Sequence, residues 1–391
     1  MRRRSIFSVL SGVRSMLRPK GDRPDSARAT ARPKGDRPRT RRRRGDRVWL
    51  FLLLLGVVGY FVWDTYFRPV PQVYKATGGL ELYFAPQQGR EAKNRLIGLI
   101  NGAQSRIEVA ALELEDREIG QALIRAAGRG VRVRMFNDSD YRRETRESLG
   151  VRSSSQARCE TLQQVQVCYD SRNNALMHHK FVLIDDQGVW TGSTNLTWNA
   201  FERNNENSLW LPLVGLVQLY RAEFDAIFAG QESGLGNSER FQIGSTEGTV
   251  YFSPAGGREG RGAILDLIKR ANREIWIAAF VLTDVRIVEA LTKAHQRGVR
   301  VRAVIDARNL ENSRDEVLSK AGIDVRRDGN PYTMHHKVIV VDSEWVVTGS
   351  YNFTNSGFGR NNENLLILRD NTLALRYQRE VEAAWRIGTR Q

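Results

Sequence analysis

Four of the five histidines in this 391-residue chain lie in two copies of one phrase. The first copy, MHHKFVLIDDQGVWTGSTN, begins at Met177, and the second, MHHKVIVVDSEWVVTGSYN, begins at Met334. Each copy contains the spacing His-x-Lys-x4-Asp. Because side chains two apart on a strand face the same side, the histidine and the lysine of each copy project together. The residues of the two motifs are His178, Lys180, Asp185, His335, Lys337 and Asp342.

Two histidines and two lysines are suited to attack on an anionic phosphodiester. A neutral imidazole, whose unperturbed pKa is about 6.5, is a competent nucleophile near neutral pH, and a second imidazole can hold a proton for the leaving group. The lysines would offset the charge of the phosphate. They would also repel a metal cation, so we expect neither a metal ion nor another cofactor.

The other polar residues of each copy predict supporting roles. Asp185 and Asp342 follow an apolar run, so we expect them to brace a turn rather than touch the substrate. The glycines of TGSTN and TGSYN would let the backbone approach a ligand, and nearby hydroxyl and amide groups can bind phosphate oxygens. Glu206 and Glu363, in the repeated phrase RNNEN, are placed to accept a proton from the far nitrogen of a histidine. The predicted phosphate-binding residues are Ser193, Asn195, Ser350 and Asn352.

The motifs stand within an internal duplication. The segment from Leu82 matches the segment from Val250 at an offset of 168, and each is typical of a βαβαβ unit. This alternation predicts an α/β fold with a mainly parallel sheet covered by helices. From the histidine phrase onward the offset is 157, so the first half carries 11 extra residues between Asp138 and His178, which we interpret as a surface insertion. The predicted boundaries are 82–232 for the first half, 233–249 for a linker and 250–391 for the second half.

The paired motifs, each followed by Gly-Ser-x-Asn and a glutamate, resemble the phospholipase D superfamily over both halves. This resemblance implies an α/β/α sandwich of two similar halves with pseudo-two-fold symmetry and an active site at their interface. It also implies that one histidine attacks phosphorus to form a phosphohistidine, while the other protonates the departing alkoxide and then activates water. By resemblance His178 is the nucleophile and His335 the acid and base, and the symmetry leaves the reverse assignment open.

The motifs recognise phosphate and do not specify what is attached to it. Members of the superfamily hydrolyse phospholipids, exchange lipid headgroups or cut nucleic acids. An apolar run at 48–67 that would tether the chain to a membrane, and a net charge of only +3 after residue 47, favour phospholipid hydrolysis. Small size and local basic stripes, such as Arg132 and Arg134, keep an endonuclease acting on DNA or RNA as the alternative. Phosphatidyl transfer of the cardiolipin synthase type is a second alternative, and an inert binding module is disfavoured by the two intact motifs.

The basic charge of the chain is concentrated at its N-terminus. Residues 1–47 carry +13 of the net +16, which leaves +3 for the remainder. This Pro-, Gly- and Arg-rich segment is predicted to be a disordered tail, either a simple topogenic flank or a contact for anionic lipid or nucleic acid. Residues 48–67 are apolar except for Asp64, and as a helix they would span about 30 Å. They predict a transmembrane anchor, with a cleaved signal as the alternative, followed by a linker at 68–81.

The predicted anchor also gives an orientation. Arginines are dense before the helix, so the N-terminus should be cytoplasmic and the catalytic part extracytoplasmic, in a bacterial periplasm or, alternatively, at an organelle membrane.

Cys159 and Cys168 are the only cysteines. In an oxidising compartment they predict one disulfide, and a pair of free thiols is the alternative. The sequence predicts no oligomeric state.

Overall fold

The computed structural model describes most of the chain beyond the predicted anchor. The tail at 1–47 and most of the predicted span at 48–67 lie outside the described residues. Within the described part, no helix combines the length and the apolar character needed to cross a bilayer. The chain divides into Met1–Pro69 and Val70–Gln391, and the following description concerns the second unit. The described residues are 52–53, 55–57, 59, 73–170, 172–234, 236, 238–309 and 313–390.

One strand, β1 (Val73–Ala76), precedes the first half of the duplication and pairs with the sheet of the second half. Asp116 caps the second helix of the first half by accepting hydrogen bonds from the backbone N–H groups of Glu118 and Ile119. The elements of the first half are β2 (Glu81–Ala85), α1 (Gly89–Gly102), β3 (Arg106–Ala111), α2 (Arg117–Gly128), β4 (Arg132–Asp138), α3 (Arg142–Ser148), β5 (Cys159–Leu162), β6 (Val165–Asp170), β7 (Lys180–Ile184), β8 (Gly188–Gly192), α4 (Trp198–Glu202), β9 (Glu206–Leu211) and α5 (Val214–Phe228).

The second half repeats this order, and Asp284 caps its second helix in the same way as Asp116. Both segments predicted as linkers contain a strand: 68–81 contains β1, and 233–249 contains the strand Glu239–Ile243. The elements of the second half are β10 (Glu239–Ile243), β11 (Thr246–Ser253), α6 (Gly257–Arg270), β12 (Glu274–Ala279), α7 (Val285–Gln296), β13 (Arg300–Ile305), α8 (Asp315–Lys320), β14 (Asp324–Arg327), β15 (Lys337–Val341), β16 (Trp345–Gly349), α9 (Asn355–Gly359), β17 (Glu363–Arg369), α10 (Asn371–Ile387) and β18 (Thr389–Arg390).

The strands form one mixed sheet in each half. The eight-stranded sheet has the order β2-β9-β8-β7-β3-β4-β6-β5, and the ten-stranded sheet has the order β1-β10-β11-β17-β16-β15-β12-β13-β14-β18. The prediction of an α/β fold in two similar halves is confirmed, but the prediction of mainly parallel sheets is wrong. Of the strands in each predicted βαβαβ unit, only β3 and β4, and β12 and β13, are parallel neighbours. Strands β2 and β11 pair antiparallel with β9 and β17. Strands β7 to β9 and β15 to β17 also pair antiparallel: a short turn joins β7 to β8 and β15 to β16, and α4 or α9 lies in the longer connection to the next strand.

Helices cover both faces of each sheet. On the outer faces, α1 and α2 pack on the first sheet and α6 and α7 on the second, and each layer has its own apolar cluster. The inner faces share one larger cluster, to which α5 and α10 contribute Tyr220 and Tyr377. These closing helices, predicted as amphipathic cover, are therefore part of the core that joins the two halves.

The extra residues of the first half include an additional edge strand. Strand β6 pairs in parallel with β4, as β14 does with β13, whereas β5 continues the sheet beyond β6. Cys159 and Cys168 lie opposite each other in this hairpin and form the predicted disulfide. From β6 the chain runs directly to His178.

Candidate active site

Each histidine is held by the backbone of the other half. His178 N donates to Asn362 O at 3.0 Å, and His335 N donates to Asn205 O at 3.0 Å. Both acceptors belong to the RNNEN phrases, which enter strands β17 and β9. These reciprocal bonds bring together two imidazoles that are 157 residues apart in the sequence.

The two histidines line a single cavity of about 730 Å³ between the halves. Asn195 and Asn352, which were predicted to bind phosphate, line it as well. Phe280 contributes an apolar wall, and its ring lies 4.8 Å from that of His335 and 4.9 Å from Lys337 Nζ. The described geometry therefore supplies one shared site rather than two separate ones.

The predicted glutamates meet the far nitrogens of the histidines across the boundary between the halves. His178 Nδ1 lies 2.7 Å from Glu363 Oε2 in a buried hydrogen bond. His335 Nδ1 lies 2.7 Å from Glu206 Oε1, at an angle outside hydrogen-bond geometry. Both carboxyl groups are fully buried. Since each Nδ1 faces a glutamate, the Nε2 atom of each imidazole remains for the substrate.

The lysines lie just behind the cavity. Lys180 Nζ donates to His178 O at 2.9 Å, and Lys337 Nζ donates to His335 O at 2.7 Å. An ammonium has three N–H donors, so each lysine keeps donors for an anion. Burial lowers the pKa of Lys180 to about 8 and holds the pKa of Lys337 well below its usual value. A bound phosphate would relieve this cost of burying positive charge.

Burial also changes the proton affinity of the groups between the lysines. It lowers the pKa of His178 to about 4, and it holds the pKa of His335 well below its usual value, with Lys337 and Lys180 adding to the effect. Burial raises the pKa of Glu206 to about 8. These shifts correspond to two neutral imidazoles and a protonated Glu206 at neutral pH.

The two aspartates of the motifs lie far from the histidines. Seven residues of extended chain separate His178 from Asp185, a distance of about 23 Å. Asp185 accepts hydrogen bonds from the backbone N–H groups of Gln104, Ser105 and Arg106. Asp342 receives the equivalent bonds from residues 272–274. They brace the start of the neighbouring strand, as expected from their position after the apolar run, and take no part in the cavity.

Replacing Asp185 by asparagine should therefore affect stability rather than chemistry. We expect Asp185→Asn to lower the free energy of unfolding by about 2 kcal/mol, because charge-assisted bonds to three backbone donors weaken. Urea unfolding measures this loss, and kcat should stay within about twofold of wild type. Asp186→Asn, at the exposed neighbouring position, is the matched control. A folded Asp185→Asn protein with a large loss of kcat would contradict this role.

Ser193 and Ser350 correct the sequence prediction, because they are fully buried and do not line the cavity. Ser193 Oγ donates to Glu206 Oε2 at 2.6 Å, so it acts on the glutamate instead of the phosphate. The glycines also differ from expectation. A Cβ at Gly192 would lie 2.1 Å from Asn207 O and one at Gly349 would lie 2.3 Å from Asn364 O, so the glycines permit close strand pairing, not ligand approach.

Some residues of the site gave no functional signal in the sequence analysis. Asp138 and Asp306 are buried and accept hydrogen bonds from the backbone N–H groups of Met177 and Met334, so they fix the chain just before each histidine. Both are the last residues matched at the offset of 168, and this shared position is the feature of the sequence that could have identified them as part of the site.

Asn207 and Asn364 connect the two halves behind the site. Asn207 Oδ1 accepts hydrogen bonds from Thr348 Oγ1 and Tyr377 OH, and Asn364 Nδ2 donates to Thr191 Oγ1 and Tyr220 OH. Each asparagine follows a glutamate of the site and points to the opposite face of its strand. In each RNNEN phrase, the last asparagine thus joins the two halves, and the glutamate before it orients a histidine.

The remaining paired histidines are structural. His179 Nε2 lies 3.3 Å from Glu223 Oε1, and its ring packs against Phe181. His336 Nε2 lies 3.4 Å from Glu380 Oε1. Both are fully buried on the strand face opposite to the cavity, as the alternation along the strand predicted.

A comparison with protein families identifies the duplication. The family model described as "Cardiolipin synthase, PLD-like domain" matches residues 96–228 and 264–385, which is one match in each half and more than half of the chain. The chain belongs to this phospholipase D-like family. The resemblance inferred from the two motifs is thereby confirmed.

Individual members of the family match parts of the chain. A phospholipase D of Rickettsia felis is 40% identical over 131 residues, which are 33% of this chain and 64% of that protein. A mitochondrial cardiolipin hydrolase of Homo sapiens is 36% identical over 137 residues, 34% of this chain and 54% of that protein. The chain thus spans less than two thirds of either relative's length.

A solved structure is similar over both halves. The crystal structure of phosphatidylserine synthase from Haemophilus influenzae superposes with a TM-score of 0.61 and covers 83% of this chain and 89% of that one. The sequence identity is 14%, so this similarity concerns the fold alone.

Proposed function

We propose that this chain is a phospholipase D-type phosphodiesterase that hydrolyses the headgroup phosphodiester of phospholipids through a phosphohistidine. The supporting observation is the convergence of His178 and His335 on one cavity, each with its Nδ1 atom held by a glutamate of the other half. This arrangement provides two imidazole Nε2 atoms for one phosphorus.

In the first step, His178 Nε2 attacks phosphorus and the bond from phosphorus to the headgroup oxygen breaks. His335 donates its Nε2 proton to that oxygen, so the headgroup leaves as a neutral alcohol. Lys180 and Lys337 stabilise the charge on the non-bridging oxygens. In the second step, His335 takes a proton from water, the resulting hydroxide oxygen bonds to phosphorus, and the bond from phosphorus to His178 breaks.

The difference between the two histidine and glutamate pairs supports this assignment of roles. Glu363 accepts a proper hydrogen bond from His178 Nδ1, which leaves a lone pair on Nε2 for attack. Burial raises the pKa of Glu206 to about 8, so this carboxyl group holds a proton beside His335 at neutral pH. When the phosphate offsets the lysine charges, that proton can pass to Nδ1 and make His335 an acid.

The arrangement of charge in the cavity favours a lipid substrate over a nucleic acid, because Arg203 and Arg308 are balanced there by three carboxyl groups. Glu113 and Glu115 line the same cavity as the histidines, and Asp306 contributes a third carboxyl group. A nucleic acid would bring further phosphates on both sides of the scissile one, and these would meet the carboxylates. A phospholipid can present a single phosphate.

We also propose that the enzyme acts at a membrane, anchored by 48–67, with the catalytic part outside the cytoplasm. The apolar run and the disulfide support this location.

The pH dependence of kcat/KM should show two limbs. Below about pH 4 His178 becomes protonated and loses its nucleophilic lone pair, so activity falls. Above about pH 8 Lys180 loses its charge and Glu206 its proton, so activity falls again. Initial rates at low substrate concentration between pH 3.5 and 10 measure this profile. Activity that keeps rising from pH 7 to 10 would contradict the proposed protonation states.

The substrate class is tested with the full chain in a chelator-containing buffer. Labelled phospholipid vesicles, single-stranded DNA and RNA are offered separately, with a primary alcohol added to a parallel lipid reaction. We expect release of the lipid headgroup, and no release by His178→Ala. Cleavage of DNA or RNA alone would replace this proposal by an endonuclease, and formation of a new phosphatidyl ester in preference to hydrolysis would identify a transferase.

A further inference from the structure

Three exposed apolar side chains surround the mouth of the catalytic cavity. Leu176 and Tyr332 line the cavity and are each 38% exposed, and Trp198, on the adjoining helix α4, is 40% exposed. Large apolar side chains are costly to leave in water, and a cluster of them at one opening marks a surface that meets a partner. We call Leu176, Trp198, Arg203 and Tyr332 the rim.

Arg203 connects the aromatic members of the rim. Its guanidinium lies 4.4 Å from the ring of Trp198 and 4.7 Å from the ring of Tyr332, which come from different halves. Backbone bonds between the halves fix this stack, because Asn205 N donates to Thr333 O at 2.9 Å and Asn330 Nδ2 donates to Arg203 O at 3.0 Å. The rim is therefore pre-organised.

The rim is not duplicated, although the catalytic residues are. At the offset of 157, Trp198 corresponds to Asn355 and Tyr332 to Ala175. Arg360, the counterpart of Arg203, keeps the equivalent hydrogen bond, to Ser356 Oγ at 2.9 Å as Arg203 has to Asn199 Oδ1, but the positions of the two rings are Asn355 and Ala175. The chemistry at phosphorus uses residues that occur in both copies, so a stack that occurs at only one of the two equivalent positions serves something other than the phosphoryl group itself.

The rim is also cationic. Arg203 Nη1 donates to the amide oxygen of Asn199 at 3.5 Å, and Arg308 lines the same cavity. Arg308 is bound by Thr333 Oγ1 and by the carbonyl of Pro331, both uncharged. Two cations among exposed aromatic rings match a layer of anionic headgroups, where tryptophan and tyrosine settle at the boundary with the acyl chains.

We propose that the rim is a docking surface for an anionic lipid interface, which it meets so that one phosphodiester enters the cavity. This proposal rests on the proposed function. A nucleic acid could stack bases on the same rings, but its neighbouring phosphates would face the carboxyl groups of Glu113 and Glu115. In a lipid layer the neighbouring headgroups stay outside the cavity, at the mouth where Arg203 lies, so the lipid surface is the occupant that the charges favour.

The test separates docking from chemistry by changing only the physical form of the substrate. The full chain is assayed in neutral detergent micelles against a long-chain phospholipid dispersed in the micelles and against a short-chain phospholipid with the same headgroup, dissolved as monomers. We expect the Trp198→Ala/Tyr332→Ala variant to raise KM for the long-chain lipid by roughly tenfold. Its kcat, and its KM for the monomeric lipid, should stay within about twofold of wild type.

Two further variants complete the experiment. Arg203→Gln should abolish the activation that rises with the mole fraction of anionic lipid, a loss of roughly fivefold. Trp345→Ala removes a matched tryptophan, stacked 5.4 Å from Arg369 and away from the cavity, and should change neither KM.

The possible results are distinguishable. An equal loss on both lipid forms, or no loss on either, would overturn the docking proposal and leave the phosphodiesterase proposal standing. A wild-type protein that turns over neither lipid but cuts DNA or RNA would overturn both.

Discussion

His178→Asn and His335→Asn should fail at different steps of the reaction. His178→Asn removes the nucleophile, and we expect kcat to fall by about 10⁴-fold or more with every phosphodiester. His335→Asn removes the acid and base, and we expect a loss of about 10²–10⁴-fold with an alkyl leaving group. The two losses look similar in steady state, so a second substrate is needed to separate them.

A p-nitrophenyl phosphodiester supplies this second measurement, because its leaving group departs without protonation. With His335→Asn we expect a rapid burst of one p-nitrophenol per enzyme, followed by slow turnover, since the phosphohistidine forms but water is not activated. With His178→Asn no burst should occur. A burst from His178→Asn and none from His335→Asn would reverse the two roles, which the symmetry of the fold permits.

Lys337→Met should lower activity and raise stability at the same time. The ammonium is buried, and burial holds its pKa well below the usual value, so the folded protein bears a cost of charge that Glu206 and Glu363 offset only in part. An apolar side chain of similar size removes that cost. We expect kcat/KM to fall by about 10²–10³-fold and Tm to rise by a few degrees.

Thermal unfolding and initial rates measure the two effects of Lys337→Met. Lys320→Met is the matched control, because Lys320 is 77% exposed and pairs with Glu316 on the same helix. It should change neither quantity. A less stable Lys337→Met protein would mean that Lys337 is held by favourable contacts in the empty site, and the electrostatic account of the site would be wrong.

The catalytic residues could be predicted from the sequence because the duplication doubles every signal. One His-x-Lys pair is weak, but His178 and His335 are embedded in matching phrases, and Glu206 and Glu363 recur at the same offset. The sequence could not show that each glutamate serves the histidine of the other half. That exchange depends on contacts between residues about 130 to 185 positions apart, such as His178 with Glu363.

The errors of the sequence analysis share a physical origin. Ser193 has a hydroxyl suited to phosphate, and only the burial of its strand shows that Glu206 takes that hydrogen bond. The βαβαβ pattern before each motif decided the expectation of mainly parallel sheets, although the turn predicted at Asp185 already marked β7 and β8 as antiparallel neighbours. Composition and spacing identify which residues can react, whereas hydrogen-bond partners depend on which strands become neighbours.

The rim illustrates the opposite case, in which the sequence contained no motif. Trp198, Arg203 and Tyr332 lie in separate segments, and none of them belongs to a motif of the sequence. Their common position at the cavity mouth follows from the same bonds between the halves that place the histidines. The surface that would meet the lipid is thus a product of the tertiary fold.

The central claim, a covalent bond from His178 to phosphorus, is tested most directly by mapping the trapped intermediate. His335→Asn is mixed with a lipid phosphodiester carrying an activated leaving group, digested with trypsin at neutral pH and analysed by mass spectrometry. We expect the phosphatidyl adduct on the peptide NNALMHHK, residues 173–180, with fragment ions assigning it to His178. An adduct in the matched His178→Asn protein on DGNPYTMHHK, residues 328–337, or no adduct in His335→Asn during a confirmed burst, would contradict the account.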